Sequence, residues 1–473
     1  MTFADVLAGW LPRQRWYAGN QGPIHDLEIT SDVSLLDGDP GLRHLVVEAS
    51  QGGSVTRYQI LAGLRSAPPA ALSHAIIGPA GQLTAYDALH DPELAAVLLR
   101  AIAGQRSAGP LRFVRERGAL LEDWPDSRVL TTEQSNTSVV FGEAAILKML
   151  RRPFPGQNPD LEVASALWRL GSSRVAAPLG WVEAVIDGER NLLGVLSRYL
   201  PHSIDGWSLA VSGLHELYNG DPEESGYGSY SLAAQAVRAG HNAPGRLARG
   251  WVSEQSADPH FTGEAYLLGR ATAEMHADLS AAFGTGPMPP QALAELAERM
   301  TSGLEQARDE VPELRAHAAK LRASYADIAE ISGPVPIQRV HGDYHLGQVL
   351  RTQHGWVALD FEGEPAVPLA QRRARYPALK DVAGMLRSFD YAARHQLLGH
   401  PDEEKLQSVA EVWVERCQAA FCAGYAHAGG MDPLANAALL RALMLEKAVY
   451  EVLYEARHRP AWMSIPLGSI AAA

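Results

Sequence analysis

The chain has 473 residues, enough for two or three domains, and 54 acidic against 41 basic residues give it a formal charge of −13 at pH 7. Because Lys and Arg form no dense run, this charge argues against nucleic acid and membrane surfaces as partners. The two cysteines, Cys417 and Cys422, share one apolar segment, which indicates buried thiols in a reducing compartment. No signal-peptide pattern and no apolar run of membrane-spanning length occur, so we expect a soluble, cytoplasmic protein.

Residues 1–88 are predicted to form a small, mainly β, N-terminal cap. Gly, Asp and Pro breaks separate the alternating apolar segments LEITSDVSLL, HLVVEAS and TRYQILAGL. The opening LPRQRWYAG brings together Arg13, Arg15, Trp16 and Tyr17. These side chains either bind an anion or anchor the first helix. We favour anchoring, because isolated Arg and Trp residues more often pack than recognise ligands.

Residues 89–201 are predicted to form a module that grips a nucleotide. The segment RVLTTEQSNTSVVFGEAAILKML has the pattern strand, polar turn, strand, turn, strand, with Lys148 near its end, and Glu162 follows in a helix-like segment. Kinase-like proteins contact the nucleotide phosphates with a strand lysine that a helix glutamate holds. Lys148 or Glu162 alone would be more typical of an exposed surface. The His-x-Asp pattern further along the chain favours the interpretation that the two residues act together.

The polar turn before Lys148 is predicted to lie over the phosphates. Its hydroxyl and amide groups would donate where other kinases use glycines; the residues are Gln134, Ser135, Asn136, Thr137 and Ser138. The chain has no GxxxxGK[ST] motif and no convincing GxGxxG motif, which argues against P-loop and Rossmann folds. An apolar strand at 192–201 suits the connection whose backbone would bind adenine.

Residues 202–473 are predicted to form a mainly helical lobe. The Gly, Ser and Asp content of residues 203–260 indicates an irregular or mobile insertion. Helical periodicity dominates from Gly263 onward, and two long helices are predicted near the C-terminus. His276, on the first helical segment after Gly263, is interpreted as a packing residue because the sequence shows no partner for it.

The segment from Val340 to Pro365 carries the pattern on which the functional prediction depends. Asp343 follows a histidine in a His-x-Asp motif, Gln348 lies five residues later, and Asp360 closes the apolar segment WVALD. Phosphoryl transfer needs a carboxylate to orient the attacking hydroxyl and ligands to hold Mg²⁺ across the nucleotide phosphates. Asp343 suits the first role, and Gln348 and Asp360 suit the second. Such residues also occur in ordinary turns, but the flanking apolar strands favour catalysis.

The chain resembles the actinobacterial maltokinases, which use ATP to make maltose 1-phosphate, in QSNTS, AILK, HGDYHLGQVLRT, DFEGEP, KDVAGMLRSFDYAA and KAVYEVLYEARHRPAW. The resemblance covers nearly the whole chain. It implies an α+β, bilobal protein-kinase-like (aminoglycoside phosphotransferase-like) fold with a mainly β cap and a mainly helical C-lobe. It also implies ATP and Mg²⁺ as cofactors, a place in the route from trehalose to α-glucan, and, by family analogy, a trehalose synthase partner.

The resemblance also assigns roles to residues. It implies that Asp343 is the base, that Gln348 and Asp360 are metal ligands, and that Lys148 contacts the phosphates. The last long helix offers side chains for the sugar, because aromatic rings cover the apolar face of a pyranose while charged groups take its hydroxyls. Residues at spacings of four, four and three share one helix face. The candidate acceptor residues are Glu446, Tyr450, Tyr454 and Arg457, together with His341 and His345 on either side of the base. In kinase-like folds, however, a histidine at the position of His341 more often supports the loop through backbone hydrogen bonds. The residues alone also leave open that the tyrosines form a stripe packed in the core.

Two alternatives remain open at this point. The first is a kinase of another sugar, such as glucosamine or a related amino sugar. A cationic substrate would need additional acid at the acceptor face, which Glu446, Glu451 and Glu455 could supply. The second is a non-catalytic scaffold of a glucan-synthesis complex. The presence of Lys148 together with the three polar residues of the catalytic pattern argues against a scaffold.

Overall fold

The computed structural model describes residues 2–18, 24–124, 126–130, 135–219, 261–364 and 367–472. It divides into two compact units, Met1–Trp168 with Ala176–Pro201, and Arg169–Val175 with His202–Ala473. The first unit is mainly β and the second mainly helical, which confirms the predicted α+β class. Within the described ranges, no helix has the length and apolar character that crossing a bilayer requires.

The cap is a five-stranded antiparallel sheet with one helix packed on it. The helix α1 (Phe3–Trp10) begins at a capping box in which Asp5 N–H donates to Thr2 Oγ1 over 3.2 Å. The strands are β1 (Asp26–Leu36), β2 (Gly41–Gln51), β3 (Ser54–Arg65), β4 (Ile76–Ala80) and β5 (Leu83–Asp87), in the order β1-β2-β3-β5-β4.

The aromatic residues of LPRQRWYAG anchor this cap, as we expected. Trp16 is buried with its ring edge against Trp10 at 5.7 Å, and Tyr17 stacks on Tyr58 at 5.6 Å. Arg13 and Arg15 are exposed. The anchoring interpretation therefore holds for the aromatic pair.

A seven-stranded antiparallel sheet completes the first unit. Its order is β6-β7-β11-β12-β10-β9-β8. The strands are β6 (Ser107–Ala108), β7 (Leu111–Arg115), β8 (Ser127–Val129), β9 (Thr137–Phe141), β10 (Ala145–Met149), β11 (Pro178–Ile186) and β12 (Glu189–Arg198), and the helices are α2 (Pro92–Ala103) and α3 (Pro159–Arg169). Leu61 and Tyr86 of the cap lie in one apolar core with Leu98 of α2 and Leu147 of β10. The cap and the larger sheet therefore share their interior.

A buried arginine fastens the cap to the larger sheet. Arg151 follows β10, is 1% exposed, and donates from Nη2 to Asp87 Oδ2 over 2.5 Å and from Nε to Thr137 Oγ1 over 2.8 Å. Its guanidinium lies 4.6 Å from the ring of Trp16, and its carbonyl accepts the N–H of Gln59. The side chain of Arg151 therefore bonds one residue of the cap, Asp87, and one residue of the larger sheet, Thr137.

The second unit consists mainly of helices around a short β-hairpin. The helices are α4 (Gly206–Asn219), α5 (Thr262–Phe283), α6 (Pro290–Glu310), α7 (Ala318–Ala326), α8 (Leu369–Arg372), α9 (Leu379–His395), α10 (Glu403–His427), α11 (Ala437–His458) and α12 (Ser464–Ala472). The strands are β13 (Ile204–Asp205), β14 (Thr285–Met288), β15 (Val335–Gln338), β16 (Val349–Thr352) and β17 (Gly355–Ala358). The predicted irregular insertion is wrong for Gly206–Asn219, which are helical; residues 220–260 lie outside the described ranges.

Helices α5 and α10 pack closely because glycines face the opposing backbone. A Cβ atom on Gly269 would lie 2.1 Å from the carbonyl oxygen of Phe421, and one on Gly424 would lie 2.1 Å from that of Tyr266. Both cysteines are buried in α10, as predicted. This close packing holds α5 and α10 against each other along their glycine faces.

Replacing Arg151 by Met should destabilise the protein strongly. The substitution leaves the buried Asp87 carboxylate without its cation, and breaking a buried ion pair in this way costs about 3–5 kcal/mol. Urea denaturation followed by tryptophan fluorescence would measure this loss in the free energy of unfolding. Arg43→Met is the matched control, because Arg43 pairs with Asp32 on the exposed face of the cap and such pairs contribute about 1 kcal/mol or less. Equal effects of the two substitutions would contradict the role of Arg151.

Candidate active site

The predicted catalytic loop joins β15 to β16 and is followed by a tight hairpin. Val349 of β16 pairs with Ala358 of β17, and the Leu359 N–H donates to the Gln348 carbonyl over 2.9 Å. This bond sets Gln348 beside the residue that precedes Asp360. Asp360 itself has φ of 57°, a left-handed conformation that non-glycine residues rarely adopt. The hairpin therefore places the backbone of Gln348 beside that of Leu359, one residue before Asp360.

A buried carboxylate holds the loop in place. Asp381, at the start of α9, accepts the His341 N–H at 2.7 Å and the Gly342 N–H at 2.9 Å. His276 of α5 contacts the same carboxylate at 2.9 Å through Nε2, and its Nδ1 lies 2.8 Å from the Tyr425 hydroxyl. Burial raises the pKa of Asp381, but its hydrogen bond to His276 and the nearby histidine charges outweigh burial and hold the pKa below its ordinary value.

His276 is therefore more than the packing residue predicted from the sequence. It connects the carboxylate that holds the loop to α10, through partners 105 and 149 residues away. No local pattern in the sequence could indicate contacts between residues so far apart.

His341 supports the loop from inside the protein. Its side chain is 1% exposed, and Nε2 lies 2.7 Å from the Leu359 carbonyl oxygen. The ring packs against Tyr344 and Phe361 at 5.2 and 4.8 Å. The prediction that His341 contacts the sugar is therefore wrong, because its polar atoms are committed inside the loop. His345 differs: its Nε2 lies 4.0 Å from Asp343 Oδ2 at a more open position.

Asp343 shares a cation with a second carboxylate. Lys447 Nζ from α11 lies 3.2 Å from Asp343 Oδ1 and 2.6 Å from Glu364 Oε1. Burial raises the pKa of Asp343, but the charges of Lys447 and of the neighbouring histidines outweigh it, so the pKa lies below its ordinary value. Burial lowers the pKa of Lys447, and the two carboxylates more than reverse that effect. Asp343 is therefore ionised at neutral pH and can accept a hydrogen bond from a hydroxyl group.

A cleft of about 140 Å³ opens beside Asp343. Glu446 and Tyr450, both predicted acceptor residues, line it. Burial raises the pKa of Glu446 in spite of the nearby Lys380. The residues that line the cleft are Gly342, Asp343, Tyr344, Glu364, Lys380, Gly384, Leu443, Glu446, Lys447 and Tyr450.

Lys447, Glu364 and Lys380 lie in this cleft but were missed from the sequence. Lys447 precedes Tyr450 by three residues, a spacing that places the two side chains on one helix face. Glu364 lies in the motif DFEGEP, in which the sequence indicated a functional role only for the first acid, Asp360. The helical spacing was a usable signal for Lys447, whereas its two carboxylate partners come from other elements.

The far end of the predicted acceptor face lies away from the cleft. Arg457 forms a two-bonded ion pair with Glu310 of α6, both bonds being 2.6 Å long. Its assignment as an acceptor residue is therefore wrong. The reason is length: at 1.5 Å per residue, Arg457 lies about 10 Å along α11 from Tyr450. Tyr454 lies between Tyr450 and Arg457 on α11 and does not line the cleft. It is 41% exposed, and its ring stacks on that of Tyr450 with ring centres 6.5 Å apart.

Two of the acids that could have served an amino sugar are already used within the protein. Glu451 accepts two hydrogen bonds from Arg387, at 2.7 and 3.0 Å. Glu455 is 2% exposed and bonds Arg459 and Tyr391. Of the three acids considered for a cationic acceptor, Glu446 alone lines the cleft.

The metal-ligand candidates offer oxygen donors of the kind that Mg²⁺ prefers. Gln348 Oε1 is buried and has no hydrogen-bond partner among the described residues. An orphaned buried carbonyl oxygen suits a hard cation, because a ligand bond would satisfy it. The residues present therefore fit the metal.

The nucleotide candidates lie in the first unit. Lys148 is on β10, Glu162 lies in the first turn of α3, and both are half-buried. Ser135 and Asn136 form a bend, whereas Gln134 lies outside the described ranges.

The predicted turn is wrong at its end. Thr137 and Ser138 belong to β9 and are buried, and Thr137 Oγ1 accepts the bond from Arg151. The strand begins at Thr137, earlier than its polar composition suggested, because the buried Thr137 hydroxyl has Arg151 as its hydrogen-bond partner.

Comparison with known proteins finds relatives that align with most of the chain. Residues 10–91 match the family model of the maltokinase N-terminal cap domain. The chain is 30% identical over 381 residues to a glucosamine kinase of Streptacidiphilus jiangxiensis, covering 78% of each sequence. It is 28% identical over 353 residues to a glucosamine kinase of Mycolicibacterium smegmatis, covering 72% of this chain and 77% of the other. A solved glucosamine kinase structure aligns with 100% of this chain and 99% of its own, at 25% identity and a TM-score of 0.66.

The antiparallel sheet with its strand lysine and the helical unit with its His-x-Asp loop define a kinase-like, ATP-dependent phosphotransferase. A solved relative in complex with glucosamine, ADP and inorganic phosphate aligns with a TM-score of 0.64 at 25% identity, over 100% of this chain and 99% of that one. The chain belongs to the family of maltokinase-like sugar kinases that includes these glucosamine kinases. Membership of this family argues against the non-catalytic scaffold.

Replacing Asp381 by Asn should lower kcat at least tenfold while changing the KM of ATP little. An amide offers one acceptor oxygen where the carboxylate offers two, so a buried N–H of the loop loses its partner, and each such loss costs about 1–3 kcal/mol. Steady-state kinetics below the melting temperature of the variant would measure the effect. Asp402→Asn is the control, because Asp402 pairs with Lys405 on an exposed surface of the same unit. Unchanged kcat in a folded Asp381→Asn variant would contradict the holding role.

Proposed function

We propose that the protein transfers the γ-phosphoryl group of ATP to the anomeric hydroxyl of maltose, giving maltose 1-phosphate. The observation that carries the choice of a disaccharide is the aromatic surface of α11. Tyr450 lines the cleft, and the stacked, exposed Tyr454 continues the surface outward. A disaccharide bound along this surface would place its first glucose ring at Tyr450 and its second beside Tyr454. The maltokinase-type cap at residues 10–91 supports the same choice.

The proposed reaction is a direct phosphoryl transfer. The anomeric oxygen forms a bond to the γ-phosphorus, the bond from that phosphorus to the bridging oxygen of ADP breaks, and the hydroxyl proton passes to Asp343. The carboxylate is poised for this role because Lys447 keeps it ionised. Gln348 and Asp360 would hold Mg²⁺, which when bound neutralises charge on the phosphates. Lys148, with Glu162, is proposed to contact the nucleotide phosphates, and the Ser135 and Asn136 bend to donate hydrogen bonds to them.

Glucosamine is the second candidate acceptor, because the relatives named above are glucosamine kinases. Glu446 in the cleft could interact with an ammonium group. The engagement of Glu451 and Glu455 with arginines removes the additional acids that this alternative needed. A trehalose synthase partner remains a prediction from the maltokinase resemblance.

Replacing Asp343 by Asn should reduce kcat by at least a thousandfold and leave ATP binding nearly unchanged. The amide cannot take the hydroxyl proton, so the loss falls on the transition state. Single-turnover phosphoryl transfer would measure the rate, and calorimetric titration with ATP would measure binding. His345→Asn is a useful comparison, because it changes a neighbour of the base and leaves the base itself. An Asp343→Asn variant that keeps most of its kcat would exclude Asp343 as the base.

A panel of maltose, glucose, glucosamine and an aminoglycoside tests the proposed acceptor. We expect the highest kcat/KM with maltose in a coupled assay of ADP release. We also expect Tyr454→Ala to raise the KM of maltose several-fold and that of glucose little, because only the second sugar ring reaches Tyr454. Absence of maltose-dependent turnover would refute the proposed function, and equal effects on both sugars would refute the outer aromatic contact.

A further inference from the structure

The acceptor cleft contains a fixed positive charge that the proposed chemistry does not require for binding a neutral sugar. Lys447 Nζ lies 2.6 Å from Glu364 Oε1, 3.2 Å from Asp343 Oδ1 and 4.9 Å from the centre of the Tyr450 ring. The side chain is 21% exposed and lines the cleft. An incoming sugar therefore meets this ammonium group and the two carboxylates as one pre-assembled cluster.

The other carboxylates near the cleft also have protein cations beside them. The charge of Lys380 favours the ionised form of Glu446, but burial outweighs it and raises the pKa of that carboxyl group. Arg387 bonds Glu451, one helical turn beyond Lys447. Among the described cleft residues, no carboxylate is set apart from these cations to receive a cationic substituent of the substrate.

We propose that Lys447 is a specificity-determining residue that makes the cleft select neutral sugars over 2-amino sugars. The inference rests on the proposed function, because a sugar whose anomeric hydroxyl faces Asp343 carries its 2-substituent on the neighbouring carbon. A 2-ammonium group would then compete with Lys447 for Asp343 and Glu364, and two like charges a few ångströms apart repel in a partly buried site. A 2-hydroxyl group carries no charge and can accept a hydrogen bond from Lys447.

The charge on Lys447 therefore acts in two ways on a substrate. It stabilises the ionised base, and it excludes acceptors that bring a second cation to the same place. Discrimination between two ligands is strengthened when the site disfavours the wrong one as well as binding the right one. Glucose and glucosamine are the appropriate probes, because they differ in the 2-substituent and its charge.

The first test is the binding of glucose and of glucosamine to the wild-type protein. Calorimetric titration with each sugar in the presence of Mg²⁺ and ADP avoids turnover, at a pH where the amine of glucosamine is protonated. We expect glucose to bind at least tenfold more tightly than glucosamine. Equal affinities, or tighter binding of glucosamine, would overturn the proposal without any mutation.

The second test compares Lys447→Met with Lys447→Arg. Met removes the charge and keeps the length of the side chain, so the affinity ratio of glucosamine to glucose should rise at least tenfold; Arg keeps the charge and should leave the ratio within about threefold of wild type. A structural role alone would weaken both sugars equally and leave the ratio unchanged. An unchanged ratio in a Met variant that melts cooperatively and binds ADP would overturn the proposal. Should the Met variant not fold, the wild-type ratio decides.

The outcomes for the two proposals are separable. Loss of the glucose preference alongside rapid turnover of maltose would refute the role of Lys447 and leave the proposed function standing. A glucose preference that depends on Lys447, without any turnover of maltose, would refute the proposed acceptor and leave the charge selection standing.

Discussion

The catalytic loop depends on one buried carboxylate, that of Asp381. It accepts the N–H groups of His341 and Gly342, and Gly342 can bend there because its φ of 87° suits glycine. Both N–H groups would otherwise be unsatisfied in the interior, so the loop has a single favourable position. Because α9 carries Asp381 and α5 carries His276, the position of the loop is set by the packing of whole helices. Asp343 is thus presented by a scaffold whose rigidity comes from α5 and α10.

Helix α11 contributes the other half of the site, and it does so through charge. Lys447 bridges Asp343 and Glu364, while Arg387 pairs with Glu451 on the same helix. Burying such ions is favourable only where each finds a partner. The cluster therefore couples the ionisation of the base to the docking of α11. In the proposed reaction the loop supplies the base, and α11 supplies the side chains that would meet the acceptor.

The sequence indicated the contacts within one short segment of the candidate site and missed those made by distant residues. Asp343, Gln348 and Asp360 stand in one short segment with strands on both sides, so their arrangement follows from local structure. Lys447 and His276 acquire their partners through tertiary packing, which periodicity does not encode. Arg457 shares a helix face with Tyr450, but the face continues past the cleft. Thr137 was assigned to a turn by its polarity, although a buried arginine satisfies its hydroxyl.

The shared core of the first unit limits how the cap can be engineered. The family model ends its cap at residue 91, yet Leu61 and Tyr86 lie in one apolar core with Leu98 and Leu147, and Asp87 neutralises Arg151. Residue 91 therefore marks where the sequence similarity ends, and the apolar core continues beyond it. Grafting this cap onto another kinase, or trimming it away, requires the recipient surface to be redesigned with it. The cap and the seven-stranded sheet would therefore have to be changed together.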